Sequence, residues 1–153
     1  MPQRDSIHDI VKQALINNEW EITYDPYVIS YGERFLFVDL GAKQTPAVNE
    51  GLMLGAQRAG RKIAVEIKEF RGASPIADLE QAIGQYMLYR LLLNKVDPER
   101  ELFLAITNLA YDEIFSEPIG EVVINDLPLQ LLVVDVEKAE VQRWIPAPPT
   151  ATS

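Results

Sequence analysis

Residues 62–70 read KIAVEIKEF, and this stretch decides the architecture. Side chains alternate faces along a strand, so Ile63, Val65 and Ile67 point one way into a core while Ala64, Glu66 and Lys68 point the other. Alone, such a strand reads as an exposed face carrying a same-side salt bridge, because three-residue patterns recur by chance. The apolar run before it changes that balance. Residues 34–40, RFLFVDL, place Asp39 among Phe37, Val38 and Leu40, where a carboxylate is costly unless paired, hydrogen-bonded or on a metal. If these two strands form an antiparallel hairpin across residues 41–61, Asp39 sits beside Glu66.

Towards the N-terminus, Ile7, Ile10, Val11, Ala14 and Leu15 recur at helical spacing, with Asp5 or Ser6 as cap and Asn17-Asn18 as the stop. Residues 20–24 alternate as a strand, Asp25-Pro26 turns the chain, and residues 27–31 form a strand before the Gly32-Glu33 turn. Residues 41–61, rich in Gly, Ala and Gln, read as a loop with one helical turn at most. After the 62–70 strand, Gly72 breaks the chain, Ser74 caps and Pro75 starts a long helix to about Asn94. Residues 102–107 read as a buried strand, 111–115 as a short helix, 121–125 and 129–135 as strands, and 141–145 as a last strand. The order describes an α/β protein, a mixed β-sheet flanked by helices with an αβββαβ core.

A chain of 153 residues with 48% hydrophobic and 24% charged content is expected to fold as a single domain over residues 1–146, with a disordered tail at 147–153. With no cysteine there is neither disulfide nor thiolate chemistry, and no apolar run reaches the length of a membrane span, so cytoplasmic residence without membrane docking is expected. The formal charge of −9 argues against bulk electrostatic binding to DNA. It is, however, unevenly spread: residues 1–72 balance at −1 and residues 73–153 at −8. Residues 55–72 carry Arg58, Arg61, Lys62, Lys68 and Arg71 against Glu66 and Glu69, a local +3 able to meet a phosphate backbone.

Asp39, Glu66 and Lys68 together suit phosphodiester hydrolysis. Two carboxylates and a main-chain carbonyl suit a hard cation such as Mg²⁺ or Mn²⁺, and an ammonium two residues along can orient the attacking water. Gln81, Gln85 and Tyr89 form one stripe on the long helix. On spacing alone Tyr89 belongs to the core and the glutamines face water; the functional alternative takes Gln85 and Tyr89 over the carboxylates towards substrate. His8, the single histidine, reads as incidental on spacing. Phosphate-loop, serine-hydrolase and metalloprotease motifs are missing from the sequence.

The blocks IHDIVKQAL, WEITYDPY, FLFVDLGA, KIAVEIKEFRGAS, LEQAIGQYMLYR and the closing WIP resemble the XisH family, the fdxN element excision controlling factors of cyanobacteria, over about residues 1–146. The resemblance implies a restriction-endonuclease-like fold of the PD-(D/E)xK superfamily. It also implies a role in programmed DNA-element excision during heterocyst differentiation, beside a site-specific recombinase and a small partner, XisI. By the same resemblance Asp39 and Glu66 correspond to the metal carboxylates and Lys68 to the catalytic lysine. Gln85 and Tyr89 correspond to the Gln-x-x-x-Tyr of RecB-like nucleases. Val38 stands where the motif has Pro, and His8 falls near the position where many relatives carry a first-helix Glu, as auxiliary ligand or base. Three roles remain open: a metal-dependent endodeoxyribonuclease, a non-catalytic accessory that directs the recombinase, and the toxin-like half of a nuclease–antidote pair. A homo-oligomer is compatible with each.

Overall fold

Val11, Ala14 and Leu15 line one stripe of helix α1 (Ser6–Asn17) and are fully buried; this stripe covers one face of a six-stranded sheet. The computed structural model describes residues 6–45 and 60–147. The cap side chains Asp5 and Ser6, a helical turn within 46–59, Arg58 and tail residues 148–153 lie outside the described part. The strands are β1 (Trp20–Tyr24), β2 (Tyr27–Tyr31), β3 (Arg34–Val38), β4 (Leu40–Gln44), β5 (Lys62–Ile67), β6 (Arg100–Thr107), β7 (Leu131–Asp135) and β8 (Glu140–Ile145). The main sheet runs β1-β4-β5-β6-β7-β8, and β2-β3 form a separate hairpin. Neighbours β5-β6 and β6-β7 are parallel and the other pairs antiparallel, so the sheet is mixed. Its core is the expected αβββαβ, with the hairpin inserted between β1 and β4.

Two clusters sandwich the sheet. Ile63 and Val65 of β5, with Phe103, Leu132 and Trp20, pack against α1. Ala64, Leu102, Leu104 and Leu131 pack on the other side, against helix α2 (Pro75–Val96) and the hairpin residues Tyr27, Ile29 and Val38. This double cover explains why β6 reads as a continuous apolar run. Helix α2 begins as its sequence dictates, with the Ser74 hydroxyl accepting from the Ala77 N–H and Pro75 in the first turn. Its buried side is Leu79, Ala82, Tyr86, Tyr89 and Leu93, while Ile76 and Leu91 are exposed.

Three segments differ from their sequence-based expectation. The 62–70 strand ends at Ile67. The expected 34–40 strand ends at Val38, and residues 41–44, expected to begin a loop, continue from Leu40 as strand β4: it is built of small residues because the chain passes under aromatic rings. A Cβ at Gly41 would lie 3.0 Å from Tyr24 Cδ2 and 3.2 Å from Tyr27 Cδ1. Residues 121–125 are not a strand. After a short helix α3 (Asn108–Ala110) that runs into a π-helical turn (Tyr111–Phe115), they lie in helix α4 (Pro118–Asp126). The β-branched run favours a strand, yet Pro118 opens the helix and Val123 and Ile124 pack onto the core.

Gly120 makes that packing possible. A Cβ there would come within 2.3 Å of Phe115 Cα and 2.4 Å of the Ile114 oxygen, both backbone atoms. Gly120→Ala is therefore expected to destabilise the protein by on the order of 3 kcal/mol in chemical denaturation, although alanine is the better helix former.

Candidate active site

Asp39 occupies the single residue between β3 and β4, where the chain leaves the hairpin and joins the main sheet. Leu40 pairs with Val65 in the antiparallel β4-β5 ladder. The next step of that register brings Asp39 beside Glu66, and the Ile67 N–H donates to Asp39 Oδ2 at 2.8 Å. The partner strand of Glu66 is thus β4, not the 34–40 strand as a whole, but the juxtaposition expected from sequence is the one formed.

The face carrying Glu66 is not an exposed ladder. Glu66 is 8% exposed, and its Oε1 has no hydrogen-bond partner among the described residues. Burial, reinforced by the nearby Asp39 charge, pushes its carboxyl up to about 8. Burial also raises Asp39, although the Ile67 N–H and the His8 side chain oppose that rise. Two buried acids held together with one oxygen unsatisfied form an arrangement that demands a proton or a cation.

Lys68 lies just past the end of β5, and its Nζ donates to Gln81 Oε1 at 2.6 Å instead of closing a salt bridge with Glu66. Gln85 Nε2 donates to the Tyr89 hydroxyl at 3.1 Å. The Tyr89 ring belongs to the core, while burial and the Glu66 and Asp39 charges raise its hydroxyl pKa against the opposing Gln85 bond. The packing reading therefore holds for the Tyr89 ring, while Gln81 and Gln85 lie at a cleft wall. His8, Asp39, Lys68, Gln81 and Gln85 line one open cleft of about 350 Å³. Glu66 and Tyr89 are not among its lining residues, and larger hollows of about 660 and 760 Å³ lie elsewhere and contain neither Asp39 nor Glu66.

Asp25, which by sequence is only a turn residue, supports this cleft. Its Oδ1 bonds His8 Nε2 at 2.9 Å and its Oδ2 accepts from Lys12 Nζ at 2.8 Å. Burial opposes the charge on Asp25, but Lys12 and His8 together hold its carboxyl below the usual range, and the Asp25 bond raises Lys12. The signal in the sequence is the i, i+4 spacing of His8 and Lys12 on α1, which puts both over the end of β1.

The basic stretch is less free than its composition suggests. Arg61 forks onto Glu101, Lys62 stands 4.0 Å from Asp97 and Glu99, and Arg71 pairs with Glu69. Lys68 alone of its described cations meets a neutral partner.

Among the described residues no group of three or more His, Asp or Glu side chains is placed so that it could hold a metal ion. Two carboxylates are nonetheless a sufficient protein contribution for Mg²⁺, which keeps several waters and takes remaining ligands from substrate phosphates. The orphaned Glu66 oxygen beside Asp39 fits such a cation. No described helix is long and apolar enough to cross a membrane.

A family model described as XisH protein matches residues 1–142. The chain is similar to the crystal structure of an XisH family protein from Nostoc punctiforme PCC 73102, at 33% identity and TM-score 0.78, covering 92% of this chain and 98% of that one. It is equally similar in fold to an fdxN element excision controlling factor protein from Anabaena variabilis, at 35% identity and TM-score 0.78, with the same coverage. No curated protein matches it. With a family model spanning nearly its whole length and two solved members sharing a third of its residues, the chain belongs to the XisH family.

Proposed function

We propose that the protein is a DNA-acting factor for programmed excision of a DNA element, carrying a Mg²⁺- or Mn²⁺-dependent site for phosphodiester hydrolysis on a restriction-endonuclease-like PD-(D/E)xK core. The observation that carries this reading is the buried, unpartnered Glu66 oxygen beside Asp39 at the end of β5. The relative described as an fdxN element excision controlling factor supports the biological setting.

Asp39 and Glu66 would hold the metal. When bound, that cation supplies positive charge that acidifies water and offsets the charge growing on a phosphate. Ile67 N–H fixes the Asp39 carboxylate in place, and Gln81 holds the Lys68 ammonium at the cleft wall, where it can orient the attacking water. His8, steadied by Asp25, is placed to accept a proton, while Gln85 and Tyr89 position substrate. The salt bridges within the basic stretch leave little free positive charge, so the isolated chain binds DNA weakly. An XisI-like partner and the site-specific recombinase would supply the remaining affinity, in the cytoplasm.

A plasmid-nicking assay with Mn²⁺ and partner checks the reading. Wild type nicks, and Glu66→Ala and Lys68→Ala lower the rate by about a hundredfold or more. No cutting by the complex, together with Glu66→Ala leaving metal binding and excision unchanged, contradicts it.

One observation favours a second reading, a non-catalytic accessory. Asp112, Glu113, Glu117, Glu121 and Asp126 are all exposed along residues 112–126, a stretch without Lys or Arg. That surface suits a protein with a basic face. Under this reading excision survives Lys68→Ala and is lost on charge reversal at Asp112, Glu113 and Glu117. The toxin-like alternative requires host damage on overexpression that depends on Glu66.

A further inference from the structure

The β2-β3 hairpin has one face with no partner among the described residues. Its ladder sets Val28 opposite Phe37 and Ser30 opposite Phe35, and these four side chains turn outward. Tyr27, Ile29 and Val38 turn inward to the α2 core. Phe35 is 64% exposed, Phe37 58% and Val28 43%. Aromatic side chains of this kind each offer about 200 Å², so the face presents roughly 300 Å² of apolar surface. A patch of that size matches the largest found on a typical folded chain, and such patches are often functional.

The charge pattern selects the occupant. The whole chain carries −9, so two copies repel unless they meet on a surface without net charge. Residues 26–38 hold one acid, Glu33, and one base, Arg34, at the turn. A two-fold axis through the face can bring each Glu33 towards the other copy's Arg34, as an isologous contact requires. A strongly charged partner or a nucleic acid finds nothing complementary there.

From the exposed aromatic face and its zero net charge, we propose that the outward side of the β2-β3 hairpin docks a second copy of this chain. Two such faces bury roughly 600 Å² of apolar surface together, about two-thirds of the apolar area in a standard interface, the size of a weak and reversible contact. Because β3 ends one residue before Asp39, pairing would also join two carboxylate sites in one assembly.

Sedimentation velocity on the full chain from about 1 to 200 µM tests this across the range of weak association. Wild type is expected to shift from monomer to dimer. Phe35→Glu with Phe37→Glu is expected to weaken association by about a hundredfold or more, with unchanged far-ultraviolet circular dichroism and melting, since both side chains point outward. The cysteine-free sequence allows a second readout: Ser30→Cys should cross-link to a dimer through a short bis-maleimide, and Ser116→Cys should not. A wild-type chain that stays monomeric at the highest concentration overturns the proposal and leaves the face to a different protein. A dimer that survives the double substitution overturns it too.

Discussion

Glu66→Gln is expected to raise the stability of the metal-free protein at pH 8.5 by on the order of 3 kcal/mol, with the gain fading to nothing near pH 4.5. In the fold the Glu66 carboxyl titrates at about 8, against 4.5 ordinarily. Below 4.5 it is protonated whether the chain is folded or not, so it contributes no difference. Between 4.5 and 8 unfolding releases the proton that the fold retains, and stability falls as pH rises. Above 8 the native state holds two charged, buried carboxylates and the cost is complete. Glutamine copies the protonated acid at every pH, so the variant lacks this slope. Urea unfolding in chelator, read through Trp20 and Trp144 in the α1-side core, measures it; parallel pH profiles for the two proteins contradict it. Mn²⁺ at pH 8.5 is expected to stabilise wild type and leave Glu66→Gln unmoved, because binding to the native state alone shifts the equilibrium.

The second large effect lies at the other end of the sheet. Arg100 is 7% exposed, and its Nη1 donates to the Ile63 oxygen at 2.9 Å while Nε donates to Asp97 Oδ2 at 3.0 Å. Its guanidinium lies 4.6 Å from the Tyr27 ring centroid and 5.5 Å from that of Tyr24, and the Tyr27 hydroxyl donates to the same Asp97 oxygen at 2.9 Å. Burial alone would raise the Asp97 carboxyl, but Arg100 and Tyr27 outweigh it and hold it below the usual range. Arg100 therefore ties the hairpin, β5 and the start of β6 together. Arg100→Met leaves Asp97 without its main partner and is expected to cost on the order of 4 kcal/mol. Arg100→Lys recovers only part, since an ammonium cannot fork or stack as the guanidinium does. A loss under about 1 kcal/mol in denaturant unfolding would show that the network is dispensable.

The pairing of the two carboxylates is legible in the amino-acid sequence. The alternation in KIAVEIKEF and the apolar setting of Asp39 locate both acids, because burying a charge is costly enough to leave a mark in the residues around it. The partner strand of Glu66 is harder to read. Residues 40–44 are small and partly polar, and only the overlying Tyr24 and Tyr27 rings explain why a strand of Gly and Ala forms there. In residues 121–125 local propensity points to a strand, and Pro118, the close approach at Gly120 and core packing impose a helix instead. The role of Asp25 leaves only a faint mark, the i, i+4 spacing of His8 and Lys12, because these partners are 17 and 13 residues away. The local +3 of residues 55–72 cannot reveal its own neutralisation, since Glu101 and Asp97 come from across the fold.

Under the proposed function Asp39 and Glu66 hold a divalent cation. The most direct measurement is a crystal soaked in Mn²⁺ with anomalous data collected. An anomalous peak between the Asp39 and Glu66 carboxylates, lost in Glu66→Ala crystals, is the predicted result. Well-ordered carboxylates with no peak between them would contradict it.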